Sequence, residues 1–178
     1  MILKFTILLI FFGLLVSMLF GRRCLVGVKG WRRANKVDLE TLSLMRSGEN
    51  KENFIERIPG IAERHRVQMK ASFGESLSYQ KSDLARLDSV IDKAWGEELP
   101  KNVDSLVLTF GAYFGESLRR LRGGYWDFDL ERGYCLHDVG GIATVYPFEK
   151  VSKRFKNSKE HSLALFYKAL VKSVEKTA

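Results

Sequence analysis

Cysteine is scarce in this sequence of 178 residues, which contains only Cys24 and Cys135. Small secreted domains that lack a large core are usually held together by several disulfides. Cys24 lies just after the long apolar run at the start of the chain, so Cys135 is the single thiol that a folded domain could use. The sequence therefore offers no internal disulfide framework, whereas pairing between two copies of the chain stays open.

Histidine is equally rare, and the three histidines show no metal-ligand spacing. A structural zinc centre needs four ligands, which usually come as two close pairs of cysteine or histidine. Cys135 and His137 form one such pair, but the remaining candidates are scattered along the chain. We therefore predict that the protein holds no metal ion.

The sequence also lacks the short motifs that bind phosphates, present a nucleophilic serine or bind a dinucleotide. It contains no P-loop, no Gly-x-Ser-x-Gly, no His-Glu-x-x-His and no Gly-x-Gly-x-x-Gly. The glycine pairs at 123–124 and 140–141 are typical of turns between structural elements. We expect no cofactor, and we assign no catalytic residue.

Acidic residues are missing from residues 1–36, which contain seven lysines and arginines. The other 142 residues hold 22 basic and 21 acidic residues, so the net charge of +8 belongs almost entirely to the N-terminal segment. Nucleic-acid binding requires a basic surface that neutralises phosphates. The nearly neutral remainder of the chain therefore does not favour nucleic acid as a partner.

An apolar run without any charge extends from Phe5 to Gly21. Its 17 residues approach the length that a helix needs to cross a hydrocarbon core of about 30 Å. The run ends in a poor cleavage site for a secretory signal, because Arg22 and Arg23 follow it where small residues are required. We predict an uncleaved transmembrane anchor at residues 1–21. The alternative is a cleaved signal, which would make the protein secreted or periplasmic.

Basic residues concentrate on the C-terminal side of this run, where residues 22–36 hold six of them. An excess of lysine and arginine marks the cytoplasmic side of a membrane. We therefore predict a single-pass protein with a short outward N-terminus and a cytoplasmic domain. Residues 22–52 would form a basic juxtamembrane segment on anionic headgroups and a linker, and residues 53–178 the folded domain.

The hydrophobic pattern of residues 53–178 changes from helical spacing to strand spacing and back again. Predicted helices cover residues 53–72, 82–95, 102–122, 147–157 and 161–176. Predicted strands cover residues 125–129, 133–137 and 142–146. We expect Pro59 to break or kink the first helix, and Ser82 or Asp83 to cap the second. The order predicts an α+β fold, with helices packed on a small antiparallel sheet and one N-terminal transmembrane helix before them.

Residues 111–120 place two glycines and a glutamate in the most apolar part of the domain. Gly111 and Gly115 are four residues apart and share one face of the predicted helix, where another backbone can approach closely. Arg120 follows Glu116 in the order that favours an ion pair. We interpret Glu116 as a structural carboxylate. It is either paired with Arg120 at an exposed helix end, or semi-buried and bound by the glycine turn or the sheet.

Further side chains are candidates for chemistry or binding. Cys135 and His137 share one face of a strand and could act as nucleophile and base, although a core cysteine beside an edge histidine is the commoner arrangement. The basic run from Lys150 to Lys159 suits a solvated helix face, or else an anion-binding or membrane-facing patch. Tyrosine and tryptophan contribute strongly to protein interfaces. The candidate binding residues are Tyr113, Glu116, Trp126, Tyr146, Lys150, Lys153 and Arg154.

Several short motifs follow one another across residues 78–172. They are Ser-Tyr-x-x-Ser-x-Leu-x-x-Leu-Asp from residue 78, Gly-Ala-Tyr-x-Gly-Glu from 111, Gly-x-Trp from 124, Tyr-Pro-Phe-x-Lys-Val from 146 and Ser-Leu-x-x-Phe-Tyr from 162. Their order and spacing resemble a group of small bacterial domains of unknown function. The resemblance implies a compact α+β domain of bacterial origin and brings no catalytic residues with it. Some members are similar to immunity proteins that neutralise rival toxins.

These observations predict a protein of the bacterial inner membrane that works as a non-catalytic protein-binding module. Its partner would be an unidentified protein, in a relationship like that of an immunity protein to its toxin. Two alternatives stay open. One is a hydrolase-type enzyme that uses Glu116, Cys135 or His137, and the other is a structural scaffold associated with the membrane.

Overall fold

The structure is a computed structural model that describes residues 41–43, 45, 50–96, 99–156 and 158–177. The predicted transmembrane anchor at residues 1–21 lies outside these residues, as does most of the predicted juxtamembrane segment and linker. Within the part that is described, none of the helices is both long enough and apolar enough to cross a bilayer.

The described chain contains five helices whose two ends are defined, and three strands. The helices are α1 (Lys51–Phe73), α2 (Lys81–Ala94), α3 (Val103–Arg122), α4 (Pro147–Lys156) and α5 (Leu163–Thr177). The strands are β1 (Tyr125–Asp129), β2 (Gly133–Val139) and β3 (Ala143–Val145), which form one antiparallel sheet in the order β1-β2-β3. A short 3₁₀-helix (Ser158–His161) joins α4 to α5. The predicted combination of helices with a small antiparallel sheet is confirmed.

Helix α3 is the centre of the domain. All residues from Leu106 to Leu118 are buried, because this stretch carries apolar or small side chains on every face and a helix of that composition needs protein on all sides. Helix α1 covers one side of α3 and α4 covers another. The inner face of the sheet, including Leu136 and Val145, belongs to the same core.

Two predicted helix boundaries differ from the structure. Helix α1 runs through Pro59 without the expected break, because Pro59 itself is exposed while Ile58 and Ile61 on either side are buried in the core. Helix α2 begins one residue earlier than predicted, with Gln80 as its N-cap. Asp83 is therefore not the cap but the third residue of the helix, and its carboxylate accepts a hydrogen bond from the Gln80 backbone N–H at 3.0 Å.

The predicted close approach at the two glycines of α3 is confirmed. A methyl group on Gly111 would lie 2.4 Å from the ring of Phe148 and 3.2 Å from its Cα, so the start of α4 lies almost against the backbone of α3. A methyl group on Gly115 would lie 2.2 Å from the Trp126 ring and 3.1 Å from Pro147. The missing side chains thus leave the space in which both α4 and β1 pack on α3.

We expect Gly115→Ala to lower the free energy of unfolding by about 1–3 kcal/mol, because overpacking outweighs the gain of about 1 kcal/mol in helix propensity. Gly60→Ala is the matched control, since Gly60 is also helical and a methyl group there would meet only Arg64, at 3.7 Å. The control should keep or raise stability by up to about 1 kcal/mol. Urea unfolding measures both changes, and equal effects would contradict the packing role of Gly115.

Candidate functional site

Glu116 is fully buried in the centre of α3, where its carboxylate is held by donors from the helix and the sheet. The Nε and Nη2 groups of Arg119 donate to its two oxygens, each at 2.9 Å, and the Trp126 indole N–H donates at 2.8 Å. The predicted partner Arg120 is farther away, at 3.7 Å. The expected donor from the sheet is therefore present, whereas the Gly123 N–H caps α3 on the carbonyl of Arg119 instead.

These contacts keep Glu116 ionised. Burial alone would raise the pKa of Glu116, but the hydrogen bonds from Arg119 and Trp126, together with the positive charges of Arg119 and Arg120, outweigh burial and hold the pKa below its usual value. The carboxylate ties β1 to α3 through Trp126, whose ring is half-buried against Gly115. Glu116 and Trp126 thus join β1 to α3, and both the Glu116 carboxylate and the Trp126 indole N–H are engaged within the protein.

Tyr113 is also fully buried, one helical turn before Ser117 on α3. Its hydroxyl donates to the Asp83 carboxylate at 2.8 Å and accepts from the Tyr79 backbone N–H at 2.9 Å. Burial, followed by the hydrogen bond to Asp83, raises the pKa of Tyr113. Because Asp83 also accepts from the Ser78 N–H at 2.7 Å, this pair fixes the loop before α2 onto α3.

Arg154 is only 2 % exposed, although it belongs to the basic run of α4. Its guanidinium turns inward, where Nε donates to Asp88 at 2.8 Å and Nη2 donates to Asp92 at 2.6 Å. Two carboxylates on one face of α2 therefore neutralise it. Arg154 joins α4 to α2 and lies away from the surface where Lys153 is exposed.

Asp88 has a second role, at the beginning of α5. Its carboxylate accepts hydrogen bonds from the backbone N–H groups of Leu163 and Ala164, at 3.0 and 3.1 Å, and from the Ser162 hydroxyl at 2.7 Å. The first N–H groups of a helix have no partner within the helix and attract negative charge. A residue of α2 thus caps α5 across the fold while it also binds Arg154.

Cys135 and His137 do share one face of β2, as predicted from their spacing. Cys135 Sγ and His137 Nε2 are 3.5 Å apart, and the other ring nitrogen of His137 lies 2.9 Å from the Thr144 hydroxyl. Burial and the neighbouring charges of Asp127 and Asp129 raise the pKa of Cys135 to about 11, so the thiol stays protonated at neutral pH. Glu116 lies across the sheet from this pair, because its partner Trp126 points to the opposite face from Asp127.

A surface hollow of about 180 Å³ lies between β3, α4 and α5, and we call it the α4 hollow. Its polar and aromatic lining residues are Arg132, Thr144, Tyr146, Glu149, Lys150, Lys153 and Phe166. Three of the candidate binding residues, Tyr146, Lys150 and Lys153, therefore meet at one place. The other four, Tyr113, Glu116, Trp126 and Arg154, are held in the internal contacts described above.

Glu149 organises the polar rim of the α4 hollow. Arg132 donates to its carboxylate from Nε at 3.1 Å and from Nη2 at 2.6 Å, and Lys153 pairs with its other oxygen. The guanidinium of Arg132 also lies 3.6 Å above the ring of Tyr146, whose hydroxyl donates to Asp129 at 3.0 Å. Hairpin β1–β2 is thereby joined to α4 through side chains alone.

Sequence patterns do not identify Arg132, Glu149 or Phe166 as members of this site. The spacing of Glu149 and Lys153, four residues apart in the favourable order, does signal their ion pair. Arg132 and Phe166 carry no comparable signal, because only the register of the hairpin and the packing of α5 bring them to α4.

The described residues contain no group of three or more histidine, cysteine, aspartate or glutamate side chains that could hold a metal ion. A scan against protein-family models finds no match for the chain, and neither do searches of the curated proteins and of the solved structures. The resemblance to small bacterial domains therefore stays a prediction.

We expect Glu116→Gln to lower the free energy of unfolding at pH 7 by about 1–3 kcal/mol, because an amide replaces a buried ionised acceptor. The pKa of Glu116 lies below its ordinary value of 4.5 in the folded protein, so its stabilising effect is complete above that pH and is lost as pH falls through the lowered pKa. Urea unfolding between about pH 7 and pH 3 should thus show that the free energy of unfolding falls less steeply with decreasing pH in the variant than in the wild-type protein. Glu131→Gln, at an exposed position, serves as control. The same pH dependence of the free energy of unfolding in all three proteins would contradict this prediction.

Asp88→Asn should lower the free energy of unfolding by about 2–4 kcal/mol, since it weakens the cap of α5 and removes one counter-charge of buried Arg154. Asp138→Asn is the matched control: Asp138 is exposed and has a φ of 56°, a conformation that asparagine tolerates. Thermal unfolding measures both variants. If Asp138→Asn loses as much stability as Asp88→Asn, the cap that Asp88 provides for α5 contributes no more to stability than an exposed aspartate does.

Proposed function

We propose that the chain is a membrane-anchored, non-catalytic protein-binding module, in an immunity-like relationship to its partner. The observation that supports this most is the convergence of Tyr146, Lys150 and Lys153 with Arg132 at the α4 hollow. Tyrosine and arginine are enriched where proteins bind each other. The membrane anchor is proposed from the sequence of residues 1–21, which lie outside the described part of the chain.

The size of the α4 hollow favours a protein partner over a small-molecule ligand. Sites for cofactors and substrates usually enclose roughly 300–1,000 Å³. The hollow has about 180 Å³ and is open on one side, so it suits a single side chain that projects from a partner's surface. Its rim carries both charged and aromatic groups, which would fix the orientation of such a side chain.

The hydrolase alternative gains little from the geometry. Glu116 is engaged by Arg119 and Trp126 on the inner side of the sheet, whereas Cys135 and His137 lie on the outer side. A nucleophilic cysteine needs a lowered pKa, and burial gives Cys135 a raised one. Binding therefore accounts for the arrangement better than catalysis does.

Site-specific photo-crosslinking in the native cells tests this proposal. A photoreactive residue in place of Lys153, at the rim of the α4 hollow, should give one discrete protein adduct. The same residue in place of exposed Ala85 on α2 is the control and should give none. Adducts of the same mass and yield at both positions, or none at position 153, would count against a protein partner at this site.

A further inference from the structure

We infer that the α4 hollow is a carboxylate-binding site, in which Lys150 pairs with an aspartate or glutamate side chain presented by the partner protein. The inference rests on the proposed function and specifies the chemistry of the partner. In this arrangement Lys150 contacts the incoming carboxylate, and Arg132 and Lys153 form the rim around it.

Lys150 is the one cation lining the α4 hollow that forms no ion pair with a described residue. Lys153 pairs with Glu149, and Arg154 pairs with Asp88 and Asp92. The described residues provide no such ion pair for Lys150, whose Nζ instead lies 5.1 Å from the centre of the Phe166 ring. An ammonium group that is half-buried beside an aromatic ring has lost part of its hydration without gaining a carboxylate.

The carboxylates around Lys150 are already engaged by other groups. Glu149 binds Arg132 and Lys153, and Asp129 accepts from the Tyr146 hydroxyl and from two backbone N–H groups. Asp88 is the one acid that raises the pKa of Lys150, and it is occupied by Arg154 and the start of α5. Burial above all, and then repulsion from Lys153 and Arg154, lowers the pKa of Lys150. A carboxylate in the hollow would reverse this effect.

The α4 hollow carries an excess of positive charge. Three cations, Arg132, Lys150 and Lys153, face the α4 hollow with one anion, Glu149. The lining therefore carries a net charge of +2. Arg132 and Lys153 share the Glu149 carboxylate, so Lys150 is the lining cation that has no ion pair with a described residue. A side-chain carboxylate carries one negative charge and fits a hollow of about 180 Å³, whereas a flat lipid surface would reach only the rim.

The charge distribution along the chain favours an acidic partner on this side of the domain. Residues 147–178, which form α4 and α5, contain eight lysines and arginines but three acidic residues. Residues 37–146 contain 14 basic and 18 acidic residues. Lys168 and Lys172 of α5 are exposed and contribute to the positive field of this part of the chain. Such a field speeds the approach of an acidic surface and orients it.

The test uses the full chain in nanodiscs of neutral phosphatidylcholine. Its lysines are dimethylated with ¹³C, which keeps their charge, and are followed by NMR. Sodium acetate should shift the Lys150 signal along a saturating curve and raise the pKa of Lys150. A hexaglutamate peptide should reach half-saturation at a concentration roughly tenfold lower than acetate, because it also meets the surrounding positive field.

Two variants make the result specific. Lys150→Gln should abolish the saturable response. None of the remaining lysine signals should then shift along a saturating curve when acetate is added. Lys70→Gln removes an exposed lysine of α1 that does not line the hollow, and it should leave the Lys150 response unchanged. A Lys150 signal that follows acetate only as weakly as the exposed lysines do would overturn the inference.

Other occupants give different results. Tighter binding of inorganic phosphate than of hexaglutamate would assign the hollow to a free phosphate. A shift caused by adding phosphatidylglycerol to the nanodisc, with none from hexaglutamate, would assign it to a lipid headgroup. Either result overturns the inference that a protein carboxylate binds there.

The crosslinking experiment separates this inference from the proposed function. Crosslinking at position 153 that persists in Lys150→Gln also overturns this inference but leaves the proposed function standing. Saturable acetate binding without any protein adduct contradicts the proposed function instead.

Discussion

The close contact of α3 with α4 and β1 is the constraint on which the rest of the domain depends. Gly111 and Gly115 leave no side chain between α3 and its neighbours, so Phe148 and Trp126 lie directly against its backbone. The Trp126 indole is held at this distance by its hydrogen bond to buried Glu116. Packing and hydrogen bonding therefore fix the same geometry, and the glycines and the carboxylate act together. The position of α4, and with it the positions of Glu149, Lys150 and Lys153 at the α4 hollow, follows from this contact.

Helix α4 then separates its basic residues by face. Arg154 turns toward α2, where Asp88 and Asp92 neutralise it, and it becomes part of the interior. Lys150 and Lys153 turn toward β3 and α5, where they line the hollow. One helix thus contains a cation that stabilises the fold and two that line the hollow, besides exposed Lys156, and sequence spacing alone does not tell them apart. The difference comes from the acids on α2, which belong to another part of the chain.

The sequence predicts the helices and strands well, because each depends on local signals. The run of apolar residues before Gly111 identifies α3 as central, Gly123-Gly124 identifies its end, and Gly140-Gly141 identifies the turn between β2 and β3. Pro59 misleads, because its local penalty is overcome by the buried residues on both sides of it. The partner of Glu116 is only half predictable: an i+3 or i+4 arginine is local, but the choice of Arg119 and the donation from Trp126 depend on how β1 packs. The site is less predictable still, since Arg132, Lys150 and Phe166 meet through three separate packing contacts.

The cap that Asp88 of α2 provides for α5 has a consequence for the order in which the parts of the fold form during synthesis. Helix α5 follows the other described elements in chain order, and the acceptor for its first N–H groups lies on α2, about 75 residues earlier. Helix α5 cannot be capped in this way until its own residues have left the ribosome, and Phe166 closes one side of the α4 hollow only then. The α4 hollow is therefore complete only after α5 has been synthesised and has packed beside α2 and α4, so recognition at this surface cannot precede that step.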